Sequence, residues 1–292
     1  MDRLPWTRFH WLIVVGLGVS WILDGIEIQI VSSMSGPLQS IEALNLTSGQ
    51  VGAAASWYLA GQVVGALFFG RLTDRLGRKK LFILTLAIYL IGSGLAGFSW
   101  NSWSLYLFRF IAGTGIGGEY TAINSAIDEI MPSKYRGRVD IAINGTYWGG
   151  AALGAVASLF LYNENFIPTH WGWRIGFFIG PVLGLVIIFL RRHIPESPRW
   201  LLTHGRAAEA ERTVDEIEAR LRSQGVELPP VDDRKALEIV DSNRLSYFQM
   251  ARIFFGRYPS RSFLGFTMMV TQAFLYNAIF FTQAMVLTYF YD

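Results

Sequence analysis

Long apolar runs, almost free of Asp, Glu, Lys and Arg, alternate in this chain with short segments crowded with those residues. A helix rising 1.5 Å per residue needs about 20 apolar residues to cross a hydrocarbon core of about 30 Å, and backbone polar groups in lipid must find partners within the segment. Seven segments meet that length, at residues 11–32, 50–70, 81–99, 103–127, 140–162, 173–190 and 262–288, and all are expected to be helices. With 52% hydrophobic and 16% charged residues, the chain carries more apolar surface than a water-soluble fold of this size has use for. The first run is too long for a signal peptide and lacks its small-residue cleavage site.

Orientation follows from the basic residues, which accumulate on the cytoplasmic side of short loops. With the N-terminus inside, all of the 25 Lys and Arg except Arg109 and Arg174 fall in cytoplasmic segments. Trp100, Trp103, Trp171 and Trp173 then form an aromatic belt at the outer interface. The expected location is the plasma (cytoplasmic) membrane, with the lipid bilayer as the first partner. Basic residues beside apolar spans form no single stripe, which excludes nucleic acid. The absence of cysteine excludes disulfides, a thiolate nucleophile and thiolate metal sites. The four histidines lie in or near loops without ligand spacing, so neither a metal nor any other cofactor is expected. No nucleophile, base and orienter are grouped at a membrane face, which argues against an enzyme.

The chain divides into three regions: a six-helix bundle over 1–199, a cytoplasmic linker over 200–258, and one further span over 259–292. In the linker, 206–225 reads as an amphipathic helix striped by Ala210, Val214, Ile217 and Leu221, with Glu216–Arg220 and Glu218–Arg222 as i,i+4 pairs. Pro229 and Pro230 end it, and a shorter helical piece is expected over 234–240. Acids and bases nearly balance across 205–257, as on a solvated face. Within the spans, glycines four apart (Gly61 and Gly65, Gly113 and Gly117, Gly145 and Gly149, and Gly176, Gly180 and Gly184) would let helix backbones approach closely.

Acid and base occur together at each cytoplasmic helix end. The connection between the second and third spans runs from Gly70 to Lys80 as a turn with Gly70 and Gly77, Asp74, Arg75 and Arg78. Glu129, Arg136 and Arg138 follow the fourth span, and Glu196 and Arg199 follow the sixth. Ion pairs across these ends would latch one conformation.

A charge inside a span costs several kcal/mol unless paired or wetted, so Asp24, Glu27, Arg109 and Glu119 are candidates for function. By helix rise, Glu27 lies about 7 Å and Asp24 about 11 Å below the outer end of their span, and Arg109 about 9 Å below the outer end of its own. Matching depth offers two readings. Arg109 and an acid form either a static ion pair or a proton-coupling switch in which protonating the acid releases the base.

The stretches 70–80, 109–118, 129–138 and 195–201, in order and at the right helix ends, resemble the major facilitator superfamily and in particular its sugar porters. The resemblance covers the whole chain. It implies an all-α polytopic membrane bundle of two six-helix halves, with the solute at midplane between them. This chain would then hold the first half, the linker and the first helix of the second half, and the missing C-terminal helices would be its partner. Alone it would bind poorly and not transport unless it dimerises or meets the missing helices. Proton-linked sugar porters carry an acid after Gly and an aromatic, which Gly25, Ile26 and Glu27 match with Ile for the aromatic, and a partner arginine matching Arg109. Asp24, Gly25 and Glu27 also resemble the start of aromatic-acid and other organic-acid proton symporters, and Gly117, Gly118 and Glu119 resemble metabolite:proton symporters. Asn144 occupies the place of a sugar-binding Gln, and Thr271, Gln272 and Asn277 fall on a Gln-Gln-x-x-Gly-x-Asn pattern. Trp148, Tyr147, Phe274 and Tyr276 offer rings for stacking, with lipid-facing or packing roles as the other reading of most of them. The implied activity is secondary transport of a sugar or a small organic or aromatic acid, with a proton as co-substrate. A uniporter and a transporter-like receptor that does not transport are the alternatives, and interhelical hydrogen bonding is the other reading of each polar residue.

Overall fold

The computed structural model describes residues 4–191, 196–230 and 246–291, with a few side chains inside helices left out, among them those of Asp74 and Glu129. Eleven helices are found among the described residues: α1 (Arg8–Ser32), α2 (Ser35–Gln39), α3 (Ser48–Leu76), α4 (Arg78–Gly97), α5 (Ser102–Ile130), α6 (Ser133–Leu161), α7 (Thr169–Arg191), α8 (Pro198–Thr203), α9 (Ala207–Ser223), α10 (Tyr247–Arg257) and α11 (Pro259–Tyr291). Each expected span falls on one of the long helices, most of which continue beyond it. By length and composition alone, three described segments can cross a membrane: α1, Ser48–Thr73 of α3, and α4.

The chain forms two compact units, residues 1–231 and 232–292. In the first, α1 packs on α6 and α7, α3 on α5, and α4 on α5 and α7. Glycines set the closest crossings. A methyl group on Gly61 or Gly65 would enter the backbone of α5 at Phe110 and Thr114, and one on Gly113 or Gly117 would enter α3 at Tyr58 and Gln62. The α1–α6 crossing differs from expectation. Gly145 and Gly149 face open space, whereas Gly25 meets Tyr147 and Ala151, and Gly150 meets Ile22. Spacing alone gives a common face but not which face meets the neighbour.

The expected turn over 70–80 is a second correction. Helix α3 runs on through Arg71 and Arg75, and only Gly77 separates it from α4. Polar side chains there reach water while the backbone keeps its helical bonds, so the change in composition does not end the helix. Gly77, at φ 91° and ψ 157°, makes the corner in a region open to glycine. Arg136 and Arg138 likewise belong to the first turns of α6 rather than to a loop.

Beyond α7, α8 and α9 form a hairpin whose small core is Trp200, Leu201 and Ala210. Helix α9 buries Ala210, Ile217 and Leu221, and Glu218 pairs with Arg222 at 3.2 Å. At its start Arg206 Nε donates to Glu209 at 2.7 Å and holds that exposed carboxyl below its ordinary range. The helical piece expected over 234–240 lies outside the described residues. In the second unit α10, not anticipated as an element, leads into α11.

Candidate functional site

Asp24, Glu27, Arg109 and Glu119 are all buried, at 1%, 2%, 4% and 0% exposure, inside the bundle of the first unit. Glu27 is best defined. Its position on α1 follows from the close α1–α6 contact at Gly25, two residues earlier. Ser93 of α4 donates its hydroxyl to Glu27 Oε1 at 2.7 Å, and the same hydroxyl lies 3.2 Å from the Phe177 carbonyl of α7. The other carboxylate oxygen, Oε2, sits where a Cβ on Gly180 would stand, and is buried without a hydrogen-bond partner in the structure. One carboxylate therefore ties α1, α4 and α7 together, through a hydroxyl on one helix and a missing side chain on another.

Arg109 does not ion-pair with Glu27 among the described residues. Its guanidinium lies over the Tyr58 ring of α3, 3.8 Å from the centroid, with the Phe177 ring at 5.8 Å. Tyr58 is itself buried at 1% exposure. A desolvated cation over an aromatic face is held by the ring quadrupole at about 2 kcal/mol. The expected pair is thus gathered in one buried region but is not in contact in this conformation.

Also in the first unit, Trp21 stacks on Tyr120 with centroids 4.7 Å apart and planes 3° from parallel, and Tyr147 meets Trp21 edge-on at 6.3 Å. The sequence alone offers Tyr147 as a stacking ring but not Trp21 or Tyr120. Nothing in their spacing separates those two from the other aromatic residues of the spans.

The residues assigned to the solute divide between the units. In the first, Asn144 donates from Nδ2 to the Asp140 carbonyl at 2.8 Å and to Asp140 Oδ1 at 3.0 Å, within its own helix, and Trp148 is exposed. In the second, Asn277 donates to the Ala273 carbonyl at 2.8 Å, and Gln272 is exposed on α11.

Of the latch residues, the structure joins Gly77, Arg78 and Glu196. The Glu196 carboxylate accepts from the backbone amides of Arg78 at 2.9 Å and Lys79 at 3.2 Å, and its Oε2 lies 2.6 Å from where a Gly77 Cβ would be. It caps α4, with its charge on the positive end of the helix dipole. Gly70 faces Thr121 of α5, and Arg136 donates to the Met131 carbonyl at 3.2 Å. Arg75, Arg138 and Arg199 are exposed, and the side chains of Asp74 and Glu129 lie outside those described. No group of His, Asp and Glu with metal-binding geometry occurs among the described residues.

The long helices, their close glycine crossings and the buried charges define a polytopic helical membrane bundle of the major facilitator type. The fold is shared with solved structures of the xylose transporter XylE. One, the proton:xylose symporter bound to 6-bromo-6-deoxy-D-glucose, superposes with a TM-score of 0.64 at 20% identity, over 74% of this chain and 51% of that one. Another, a partially occluded inward-open form from E. coli, gives 0.61 at 20% identity, over 74% and 57%. The sugar (and other) transporter family model matches residues 23–289, and the chain belongs to that family, one of transporters rather than enzymes. It is 31% identical to the niacin transporter NiaP of Acinetobacter baylyi over 96% of this chain and 60% of that protein. It is 29% identical to myo-inositol transporter 2 of Schizosaccharomyces pombe over 83% of this chain and 43% of that protein. The chain thus spans about half the length of the relatives it matches.

Proposed function

We propose that the protein carries a small polar solute, a sugar or an organic or aromatic acid, across the cytoplasmic membrane by alternating access, with a proton as the driving ion and the N-terminus in the cytoplasm. The observation that carries this reading is the setting of Glu27, a carboxylate buried at 2% exposure with one oxygen bonded to Ser93 and the other without a donor. A proton on Oε2 neutralises the group where lipid and packed helices exclude water. Arg109 then rests on Tyr58, as it does here. Loss of the proton leaves an anion and a cation in one low-dielectric region, and their attraction draws Arg109 off the ring toward Glu27. Because Glu27 touches elements of α4 and α7, that exchange alters the packing of three helices at once.

Asn144, Trp148, Gln272 and Asn277 are proposed to contact the solute, with Asn144 and Asn277 exchanging their present bonds within their own helices for bonds to it. Glu196, which caps α4 beside Gly77 and Arg78, is proposed as the centre of the cytoplasmic latch, with Asp74, Arg75, Glu129, Arg136, Arg138 and Arg199 completing it. The names of the relatives, which include niacin and myo-inositol, support testing both aromatic acids and polyols.

Uptake into proteoliposomes with an imposed pH gradient tests the reading, using the chain supplied with the C-terminal helices that the resemblance implies and sugars and aromatic acids as the panel. An inward proton gradient accelerates uptake by the wild type, while Glu27→Gln exchanges solute without responding to the gradient. Uptake indifferent to the gradient in both proteins would mean uniport, with Glu27 and Arg109 structural. Solute binding without any uptake would favour a receptor.

A further inference from the structure

Helix α10 lies between the connecting segment and α11, and the charge of the chain changes character just before it. The acids of the segment end at Asp241; from Ser246 to Tyr291 there is none, while Arg252, Arg257 and Arg261 remain. The near balance of charge across the segment as a whole hides this separation.

The helix is sharply two-sided. At 100° per residue, Tyr247, Phe248, Met250, Ala251, Phe254 and Phe255 fall within an arc of about 160°. Arg252 stands just outside one edge of that arc and Arg257 just outside the other, with Gln249 and Gly256 opposite and Ile253 the one apolar residue among them. Phe248, Phe254 and Phe255 are 79%, 57% and 64% exposed, so no described element of its own unit covers this face. The helix also starts firmly: Gln249 Oε1 accepts from the Ser246 amide at 2.8 Å in a capping box.

The adjoining helix α11 fixes the distance of α10 from a membrane boundary. Only Tyr258, at φ −131° and ψ 50°, separates α10 from Pro259, the first residue of α11. Hydrogen bonds hold this corner on both sides, with the Tyr258 amide donating to the Phe254 carbonyl at 3.2 Å and the Ser262 amide to the Tyr258 carbonyl at 2.9 Å. The Ser262 hydroxyl donates to the same Phe254 carbonyl at 2.9 Å. With 33 residues α11 is about 50 Å long, well beyond the hydrocarbon core, and Ser260, Arg261 and Ser262 mark its first turn as an end that stays in the interfacial layer.

We infer that α10 is an in-plane membrane anchor. Its aromatic face lies in the headgroup layer of an anionic leaflet, at the point where α11 enters the bilayer, with Arg252 and Arg257 reaching lipid phosphates on either flank. Aromatic rings favour that layer, an amphipathic helix sinks its apolar face about 5–10 Å into it, and flanking arginines select anionic lipid. The absence of any carboxylate from Ser246 to Tyr291 removes the repulsion such a surface would exert.

Because the chain has no cysteine, a single introduced thiol can carry a unique nitroxide label. Phe254→Cys places it on the aromatic face and Gln249→Cys on the opposite one; Phe248→Cys repeats the first should Phe254→Cys express poorly. The whole chain is reconstituted in vesicles of phosphatidylcholine with phosphatidylglycerol, and collisions are measured with lipid-soluble oxygen and with a water-soluble nickel chelate. The anchor predicts that the label at 254 meets oxygen and is shielded from nickel, with the reverse at 249. Replacing phosphatidylglycerol by phosphatidylcholine, or introducing R252Q and R257Q, should raise nickel collision at 254 by roughly five-fold for each arginine no longer held by the anionic surface. Equal nickel collision at 254 and 249 would place the face in water and overturn the inference. Shielding at 254 from both reagents would overturn it too, since protein, whether a second copy or further helices, would then cover the face.

Discussion

At Glu27 the side chain is held by a hydroxyl and a gap. Ser93 donates at 2.7 Å, and Gly180 leaves the space into which Oε2 fits. Ser93→Ala should therefore destabilise the folded protein by about 1–3 kcal/mol, the cost of leaving a buried acceptor unmatched, measurable by thermal unfolding in detergent. An unchanged midpoint would mean that the bond does not hold the carboxylate. Gly180→Ala should be at least as damaging, because the added carbon would occupy the carboxylate's position. The acid and the arginine could be picked out in the sequence because charge inside an apolar run is expensive, whatever its partner. Ser93 could not, and Gly180 was legible only as a packing glycine. A serine in a span usually bonds its own helix, as Ser20 does to Gly16 at 3.2 Å, and a glycine in a span usually marks backbone contact, as Gly61 does. Their roles come from a meeting of α1, α4 and α7 that no local pattern records. The same holds for Arg109, whose partner in this conformation is the Tyr58 ring rather than an acid.

Among the elements, α4 shows most clearly how a loop motif acts. Acid and base near helix ends suggested ion pairs, but Glu196 acts on backbone amides, accepting from Arg78 and Lys79 at the first turn of the helix. Glu196→Ala should cost about 1 kcal/mol in stability through the lost cap, with a further ~0.3–1 kcal/mol from the helix dipole at low salt. A loss unaffected by salt would remove the dipole part of that account. Gly77→Ala should cost about 1–3 kcal/mol from its backbone conformation alone, and more because its methyl would stand against Glu196 Oε2. The α3–α5 crossing is equally intolerant. Gly113→Leu would drive a side chain into the Tyr58 carbonyl and should lower the unfolding temperature, whereas the same change at Gly149, which faces open space, should not. Helix positions were legible because hydropathy over about 20 residues is a strong signal. Helix α10 was not, because its two-sided pattern is short and its arginines were averaged with acids further back along the linker.

For the molecule as a whole, family membership and the resemblance of the bundle to the xylose transporter rest on matches across most of this chain and about half of each relative. Within that frame the central claim is that Glu27 takes up and releases the transported proton, and that Arg109 moves between Tyr58 and Glu27 as it does so. The most direct measurement is proton movement coupled to solute in the chain supplied with its implied C-terminal helices, read from a pH-sensitive dye trapped in proteoliposomes when solute is added outside without an imposed gradient. The account predicts that a transported solute acidifies the lumen in the wild type, and that Glu27→Gln moves the same solute with no change in the dye. Solute-driven acidification that persists in Glu27→Gln would contradict it, and would move the proton site away from the buried carboxylate held by Ser93.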